Sequence, residues 1–208
     1  MERSQLMDQE IEVKFLLKDY ASLMQKIADL QLSCSQERIH EFNLRYDLAD
    51  GSLVAQKQVL RLRKDTQARL TFKGPGVMEE DVLLRKEVEV VVSDFDTTNR
   101  LLEALGYQVV MMYEKYRANY LLDSLVMSVD ETPLGLFVEL EGESPAQVRK
   151  AADVLELDWD ARINLSYSAL LSLFNQNTGN SFRDLSFDAL QGLDVSPKVL
   201  GLNYADIS

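Results

Sequence analysis

Histidine and cysteine are almost absent from this 208-residue chain: each occurs once, as His40 and Cys34. A single cysteine excludes an internal disulfide framework and a multi-cysteine zinc site. A single histidine excludes a two-histidine metal motif, and any Ser/His/Asp or Cys/His mechanism would have to run through that one imidazole. His40 reads instead as a polar residue on a strand flank, and Cys34 as a small, buried or half-buried residue near the end of a helix. No apolar run approaches the ~18 residues needed to span a membrane. The opening stretch MERSQLMDQEIEVKF has neither the basic segment nor the apolar core of a signal peptide. A cytoplasmic, reducing setting without a membrane partner is expected. Basic residues are scarce too: 22 Lys and Arg stand against 34 Asp and Glu, a net charge of −12 at pH 7. Such a chain repels phosphate backbones, so nucleic acid is not an expected partner.

Hydrophobic residues make up 46% and charged residues 27%, enough for a real core. At roughly 150 residues per domain, the length predicts one domain with a small appendage. Strict alternation dominates. Ile11, Val13 and Phe15 share one strand face, with Glu10, Glu12 and Lys14 on the other. Asp19 opens an amphipathic helix to Leu30, with apolar residues at 20, 23, 24, 27 and 30. Alternation returns from about Glu37 to Tyr46, before an Asp50-Gly51 turn. Leu60–Arg63 and Leu70–Lys73 read as two strands joined by a Lys64–Ala68 hairpin, the second ended by Gly74-Pro75-Gly76. Val82–Val92 is a further strand, and a short helix runs from an Asp94 cap to Leu105-Gly106. Strands are predicted at Tyr107–Met112, Glu114–Leu122, Leu125–Asp130 and Leu136–Gly142, then helices from Pro145 to about Leu157 and from Ser166 to about Asn175. Trp159 reads as packing between the C-terminal helices and the sheet. Short connections between strands favour an antiparallel sheet or barrel with helices outside, an α+β architecture.

The polar strand faces carry charges at i and i+2 on strand after strand. They are Glu10, Glu12 and Lys14; Arg61 and Arg63; Lys73; Arg85, Glu87 and Glu89; Lys115 and Arg117; Glu139 and Glu141. Cross-strand salt bridges on an exposed face would account for any one pair. The whole set in register points inward: a wet lumen holding a polyanion, its oxygens met by cations and by carboxylate-bound divalent ions. Lys73-Gly74-Pro75-Gly76 is no Walker loop, since the GxxxxGK spacing is missing and Pro75 lacks an N–H.

Glu10-x-Glu12-x-Lys14 resembles the ExExK signature of the CYTH family, the triphosphate tunnel metalloenzymes. The resemblance continues in order through Asn43-Leu44-Arg45-Tyr46-Asp47 with Leu53 (NxYFDTPDxxL), Leu60-Arg61-Leu62-Arg63, and Leu70-Thr71-Phe72-Lys73-Gly74-Pro75 (TxKGP). Arg85-Lys86-Glu87-Val88-Glu89 (RxExE), Glu114-Lys115-Tyr116-Arg117 (KxR), Leu122-Asp123, Gly135–Glu141 and Ser166-Tyr167-Ser168-Ala169-Leu170-Leu171 (SYxxLL) complete it. It covers about residues 8 to 175. Two departures stand out: Arg45 replaces an aromatic residue of many members, and Leu48-Ala49 replaces Thr-Pro.

The resemblance implies a closed eight-stranded antiparallel barrel, a tunnel over residues 1–175, with the tail 176–208 packed on or near its mouth. It implies a triphosphate-containing small molecule as ligand and Mg2+ or Mn2+ as cofactor. Lys14, Arg61, Arg63, Lys73, Arg85, Lys115 and Arg117 would contact phosphate. Glu10, Glu12, Glu139 and Glu141 would ligate metal, with Glu87, Glu89 and Asp123 as ligands or acceptors nearby. Glu12, Lys14, Lys73 and Arg117 are the expected catalytic set. Carboxylates suit a hard, oxygen-preferring ion, and no protein nucleophile is required, in keeping with the shortage of His and Cys. Hydrolysis of inorganic triphosphate, thiamine triphosphate or a nucleotide is the first expectation. A class IV adenylyl cyclase and a non-catalytic polyphosphate-binding module are the alternatives. An exposed barrel flank leaves room for a homodimer.

Overall fold

The computed structural model describes residues 9–80 and 82–206. Eight strands are present: β1 (Gln9–Leu17), β2 (Ser33–Leu48), β3 (Val59–Lys64), β4 (Ala68–Glu79), β5 (Val82–Val92), β6 (Tyr107–Leu122), β7 (Leu125–Thr132) and β8 (Gly135–Gly142). They pair in the order β1-β5-β4-β3-β2-β6-β7-β8 and close into a ring, every pairing antiparallel. The helices α1 (Tyr20–Asp29), α2 (Ser52–Ala55), α3 (Phe95–Ala104), α4 (Pro145–Val154), α5 (Tyr167–Thr178) and α6 (Pro197–Leu200) lie around it. No helix among the described residues is long and apolar enough to cross a membrane.

Local signals set the helix starts. Asp19 accepts the Ala21 and Ser22 N–H groups at 2.9 and 3.1 Å, and Asp94 accepts that of Thr97 at 2.7 Å. Ser144 and Ser166 cap α4 and α5 in the same way, with Pro145 in the first turn of α4.

Alternation then decides which face each strand turns to the helices. On β1, Ile11, Val13, Phe15 and Leu17 join Leu23 and Ile27 of α1, Val148 and Ala152 of α4, and Trp159 in one buried cluster. On β2 and β3, Tyr46, Leu60 and Leu62 join Phe95 and Leu102 of α3 in another. Full burial of each such side chain is worth about 1.5–3 kcal/mol, so the outward faces anchor the helices and the inward faces are left to the polar residues. A third cluster differs. Leu170, Leu171 and Phe174 of α5, with Leu185, Leu190 and Leu200 after it, pack on Leu16, Met111, Tyr113 and Phe137. Those four occupy the inward-facing register, so α5 and the segment behind it close one end of the barrel.

That last segment is tied down by its backbone. Leu185 exchanges hydrogen bonds with Met112 and Glu114, and the Ala205 N–H donates to the Leu16 carbonyl. The Asp206 carboxylate accepts from the Lys18 and Asp19 N–H groups.

Three expectations are corrected. Tyr107–Met112 and Glu114–Leu122 form one 16-residue strand, because Tyr113 keeps the inward period of Met111, Lys115 and Arg117. The ladder to β2 steps from Arg45↔Met111 to Tyr46↔Val109, so Val110 of this same strand is the extra residue of a bulge through which the strand continues. Gly74-Pro75-Gly76 does not end its strand: β4 continues to Glu79, and the ladder steps from Lys73↔Glu87 to Gly76↔Arg85, a bulge that accommodates a proline without an N–H. Cys34 lies in β2 and is exposed, since α1 stops at Asp29 and Gln31 turns the chain with φ 53°.

Candidate functional site

The barrel interior gathers the charged alternation, and its two walls differ. The wall of β6, β7, β8 and β1 is a closed ion-pair network. Lys14 Nζ meets Glu139 at 2.5 Å, Arg117 Nε meets Asp130 at 2.6 Å, and Arg117 also pairs with Glu139. Lys115 Nζ reaches Asp130 at 2.7 Å and Glu41 of β2 at 3.7 Å. The Tyr167 hydroxyl, at the start of α5, donates to Asp130 at 2.7 Å, while Lys14 and Lys115 sit 4.6 and 5.0 Å from its ring centroid. Asp130 is fully buried and needs all these partners.

Titration follows that geometry. Burial alone would raise the Glu139 carboxyl, but Lys14, Arg117 and Lys115 hold it well below its ordinary value. Burial would likewise depress Lys14, yet Glu139 and Glu12 raise it. Burial and Asp130 push the Tyr167 phenol well up, so it stays a donor.

The wall of β2, β3, β4 and β5 is looser. Arg63 approaches Glu41 at 3.5 Å, Asp65 at 3.2 Å and Glu89 at 3.7 Å. Arg61 lies 3.8 Å from Glu89 and 3.4 Å from the Tyr113 hydroxyl. Arg69 pairs with Asp65 at 2.6 Å, Lys73 with Glu87 at 3.0 Å, and the Thr71 hydroxyl donates to Glu89 at 2.8 Å. Arg45 and Arg85 have no ion-pair partner among the described residues. The Nε atoms of Arg61 and Arg85 are buried without a hydrogen-bond partner, as are both amide atoms of Asn43, whereas Arg63 Nε faces Asp65 at 3.2 Å without hydrogen-bond geometry. Burial pushes the Arg45 guanidinium below its ordinary value, and Arg85 and Arg61 add repulsion that Tyr113 and Asp47 only partly offset. Burial would raise the Tyr113 phenol, but Arg61 and Lys115 draw it down.

The expected phosphate contacts Lys14, Arg61, Arg63, Lys73, Arg85, Lys115 and Arg117 therefore all lie on the strands that form the lumen. Among the expected metal ligands, Glu139, Glu87 and Glu89 are engaged with cations. Glu12 and Glu141 stand directly opposite each other on β1 and β8, at the end away from α5. Glu10 follows on β1, paired with Arg85 in register; its side chain lies outside the described residues. Asp123 is exposed in the β6–β7 turn at that same end, with φ 56°.

Among the described residues no three acidic, His or Cys side chains gather into a ready-made cage. Mg2+ is ordinarily held by one or two carboxylates together with substrate phosphates rather than by such a cage. Glu12 and Glu141, in direct cross-strand register, are oxygen donors of the kind a hard divalent cation takes, so the pair fits such an ion.

Sequence reasoning missed Asp130, Glu41, Arg69 and Tyr113, and took Asn43 and Tyr167 only as parts of motifs. Glu41 and Asn43 share the inward period of β2 with Arg45, and Ser128 and Asp130 share that of β7; this was the signal available.

Comparison with known proteins agrees with the geometry. The family model of the CYTH domain matches residues 8–166. A candidate adenylate cyclase of Methanocaldococcus jannaschii is 26% identical over 149 residues, 71% of this chain and 83% of that protein. Among solved structures, a candidate adenylate cyclase from Vibrio parahaemolyticus superposes with a TM-score of 0.70 at 21% identity, covering 78% of this chain and 97% of that one. The protein PH1819 of Pyrococcus horikoshii gives 0.67 at 26% identity, covering 78% and 98%. A Hippeastrum candidate adenylyl cyclase, described as having a dominant triphosphatase activity, gives 0.59 at 17%, covering 83% and 97%. Fold, inward charge pattern and family match converge: the chain belongs to the CYTH family.

Proposed function

We propose that the chain is a Mg2+- or Mn2+-dependent triphosphatase that cleaves the terminal phosphoanhydride of a triphosphate held in the lumen. The observation that carries this reading is the excess of half-buried, incompletely partnered guanidinium groups on the β2–β5 wall, with the Nε atoms of Arg61 and Arg85 buried and without partners. Arginine forks match phosphate oxygens bidentately. Arg61, Arg63, Lys73 and Arg85 bind the phosphate chain from one side, and Lys14, Lys115 and Arg117 from the other. Glu139 and Asp130 keep the latter three in place; Glu87 and Glu89 do the same across the lumen. Glu10, Glu12 and Glu141 hold the metal, and Asp123 lies at the same end for its outer hydration.

A bound divalent ion supplies neutralisation of phosphate charge and acidification of a water. In the hydrolysis a water oxygen bonds to the terminal phosphorus, the bridging P–O bond breaks, and inorganic triphosphate yields orthophosphate and pyrophosphate. Lys14, Lys73 and Arg117 offset charge growing on the phosphoryl and leaving oxygens. The second reading, cyclisation of ATP to cyclic AMP and pyrophosphate, is supported by the relatives described as adenylate cyclases.

Incubation with Mg2+ or Mn2+ and, separately, inorganic triphosphate, thiamine triphosphate and ATP separates the readings. Orthophosphate release without cyclic AMP, lost in Glu12→Gln and on chelation, is expected. Cyclic AMP in equal amount with pyrophosphate overturns hydrolysis in favour of the cyclase. Tight binding without any product marks a binding module.

A further inference from the structure

Arg45 is the lumen cation that departs from the family pattern, and its surroundings set it apart. It stands opposite Arg61 across β2–β3 and opposite Met111 across β2–β6, at the end closed by α5. Its Nη1 donates to Ser168 Oγ in the first turn of α5. No carboxylate pairs with it among the described residues, although a guanidinium carries five donors and an unpaired charge in such a place is costly. Two residues away, Asn43 is fully buried with Nδ2 and Oδ1 both unpartnered, and the buried Nε of Arg61 and Arg85 are likewise without partners. Beyond this group the lumen is filled: Met111, Tyr113, Leu16 and Phe137 pack under Tyr167, Leu170 and Phe174. A phosphate chain that reaches Arg45 has to stop there.

We propose that Arg45, held by Ser168 and facing Arg61, is the receptor for the free terminal phosphate of the substrate, so that this chain takes triphosphates with one unesterified end and rejects those capped at both. The inference rests on the triphosphate reading of the tunnel. A terminal phosphate presents three free oxygens, and an internal one only two, so a cluster of arginine forks with the Asn43 amide favours the former. Ser168 fixes the guanidinium plane, and the closed end denies room to a second ester group.

The test is metal-free titration calorimetry of the full chain with two probes, inorganic triphosphate and diadenosine triphosphate. The wild type is expected to bind the first at least about tenfold more tightly than the second. Arg45→Gln is expected to lose about tenfold to a hundredfold in affinity for inorganic triphosphate, the range of a charge-assisted hydrogen bond, with no change for the capped probe. Its melting temperature without ligand should match or exceed the wild type, because a half-buried charge without an ion-pair partner is gone. Arg45→Lys keeps charge without the fork and should show a smaller loss; it serves if Arg45→Gln misfolds. Equal affinity of wild type and variants for inorganic triphosphate overturns the assignment of Arg45, as does wild-type binding of both probes alike. If the wild type binds neither probe, the triphosphate reading itself fails and the inference falls with it.

Discussion

The two walls of the tunnel use the same residue types to opposite ends. On the β6–β7–β8–β1 wall, Lys14, Lys115, Arg117, Asp130, Glu139 and the Tyr167 hydroxyl satisfy one another at 2.5–2.7 Å. On the β2–β5 wall several ion pairs stretch to 3.5–3.8 Å, and Arg45 and Arg85 have none among the described residues. A buried charge is tolerable only when partnered. One wall has its partners built in and behaves as scaffold; the other leaves cationic capacity for a polyanion. Under the proposed function, a ligand's place is marked less by where charges are than by where their partners are missing.

The largest effect should come from breaking the partnered wall. Asp130→Ala leaves Lys115 and Arg117 buried without their shared carboxylate, and a loss of about 3–5 kcal/mol is expected in urea unfolding. A loss under about 1 kcal/mol would show that this wall does not depend on the network. Next comes Asp47, near the end of β2, whose carboxylate accepts the N–H groups of Leu48, Leu53 and Val54 at 2.8–3.0 Å and so anchors α2. Asp47→Ala should cost about 1.5–3 kcal/mol. Burial would raise this carboxyl, but the three N–H donors lower it beneath its ordinary 3.8. Its contribution is therefore complete above that value and lost as pH falls through the lower folded one. Asp47→Asn should flatten acid unfolding in that range, and an unchanged acid limb would contradict the assignment.

The open wall should respond in reverse. Arg61→Ala is expected to change the stability of the unliganded protein by less than about 1 kcal/mol, since its ion pair is long. It should nevertheless weaken triphosphate binding by about tenfold or more. A large stability loss with unaltered binding would exchange the roles of the walls. Smallest of all, Cys34→Ser at an exposed strand position should leave thermal stability within about 0.5 kcal/mol.

Much of this was legible in the sequence because a strand period of 2 sorts residues without knowledge of their neighbours. The inward charges from Glu12 to Glu141, the Val82–Val92 strand and the Asp19, Asp94, Ser144 and Ser166 caps all follow from local spacing. What was not legible depends on partners distant in the chain. Asp130 is one acid in a mostly apolar strand beside the exposed Glu131, and only closure of the ring shows that it holds Lys115 and Arg117. The Gly74–Gly76 bulge depends on the β5 register, and the continuity of β6 through Tyr113 depends on its long pairing with β2, which a bulge at Val110 interrupts without ending. The closing role of α5 is set by Leu16 and Phe137, which alternation alone marks as inward but not as covered.

If the lumen holds a triphosphate against the β2–β5 wall, that ligand must stabilise the folded protein through Arg61. Thermal unfolding of the wild type and of Arg61→Ala, each with and without inorganic triphosphate at about 100 times its Kd for the wild type, tests it most directly. Ligand that binds only the folded state stabilises by about 2.7 kcal/mol at that excess. A clear rise in melting temperature is expected for the wild type and a much smaller one for Arg61→Ala. An equal rise in both proteins, or no wild-type binding of triphosphate at any concentration, would contradict it.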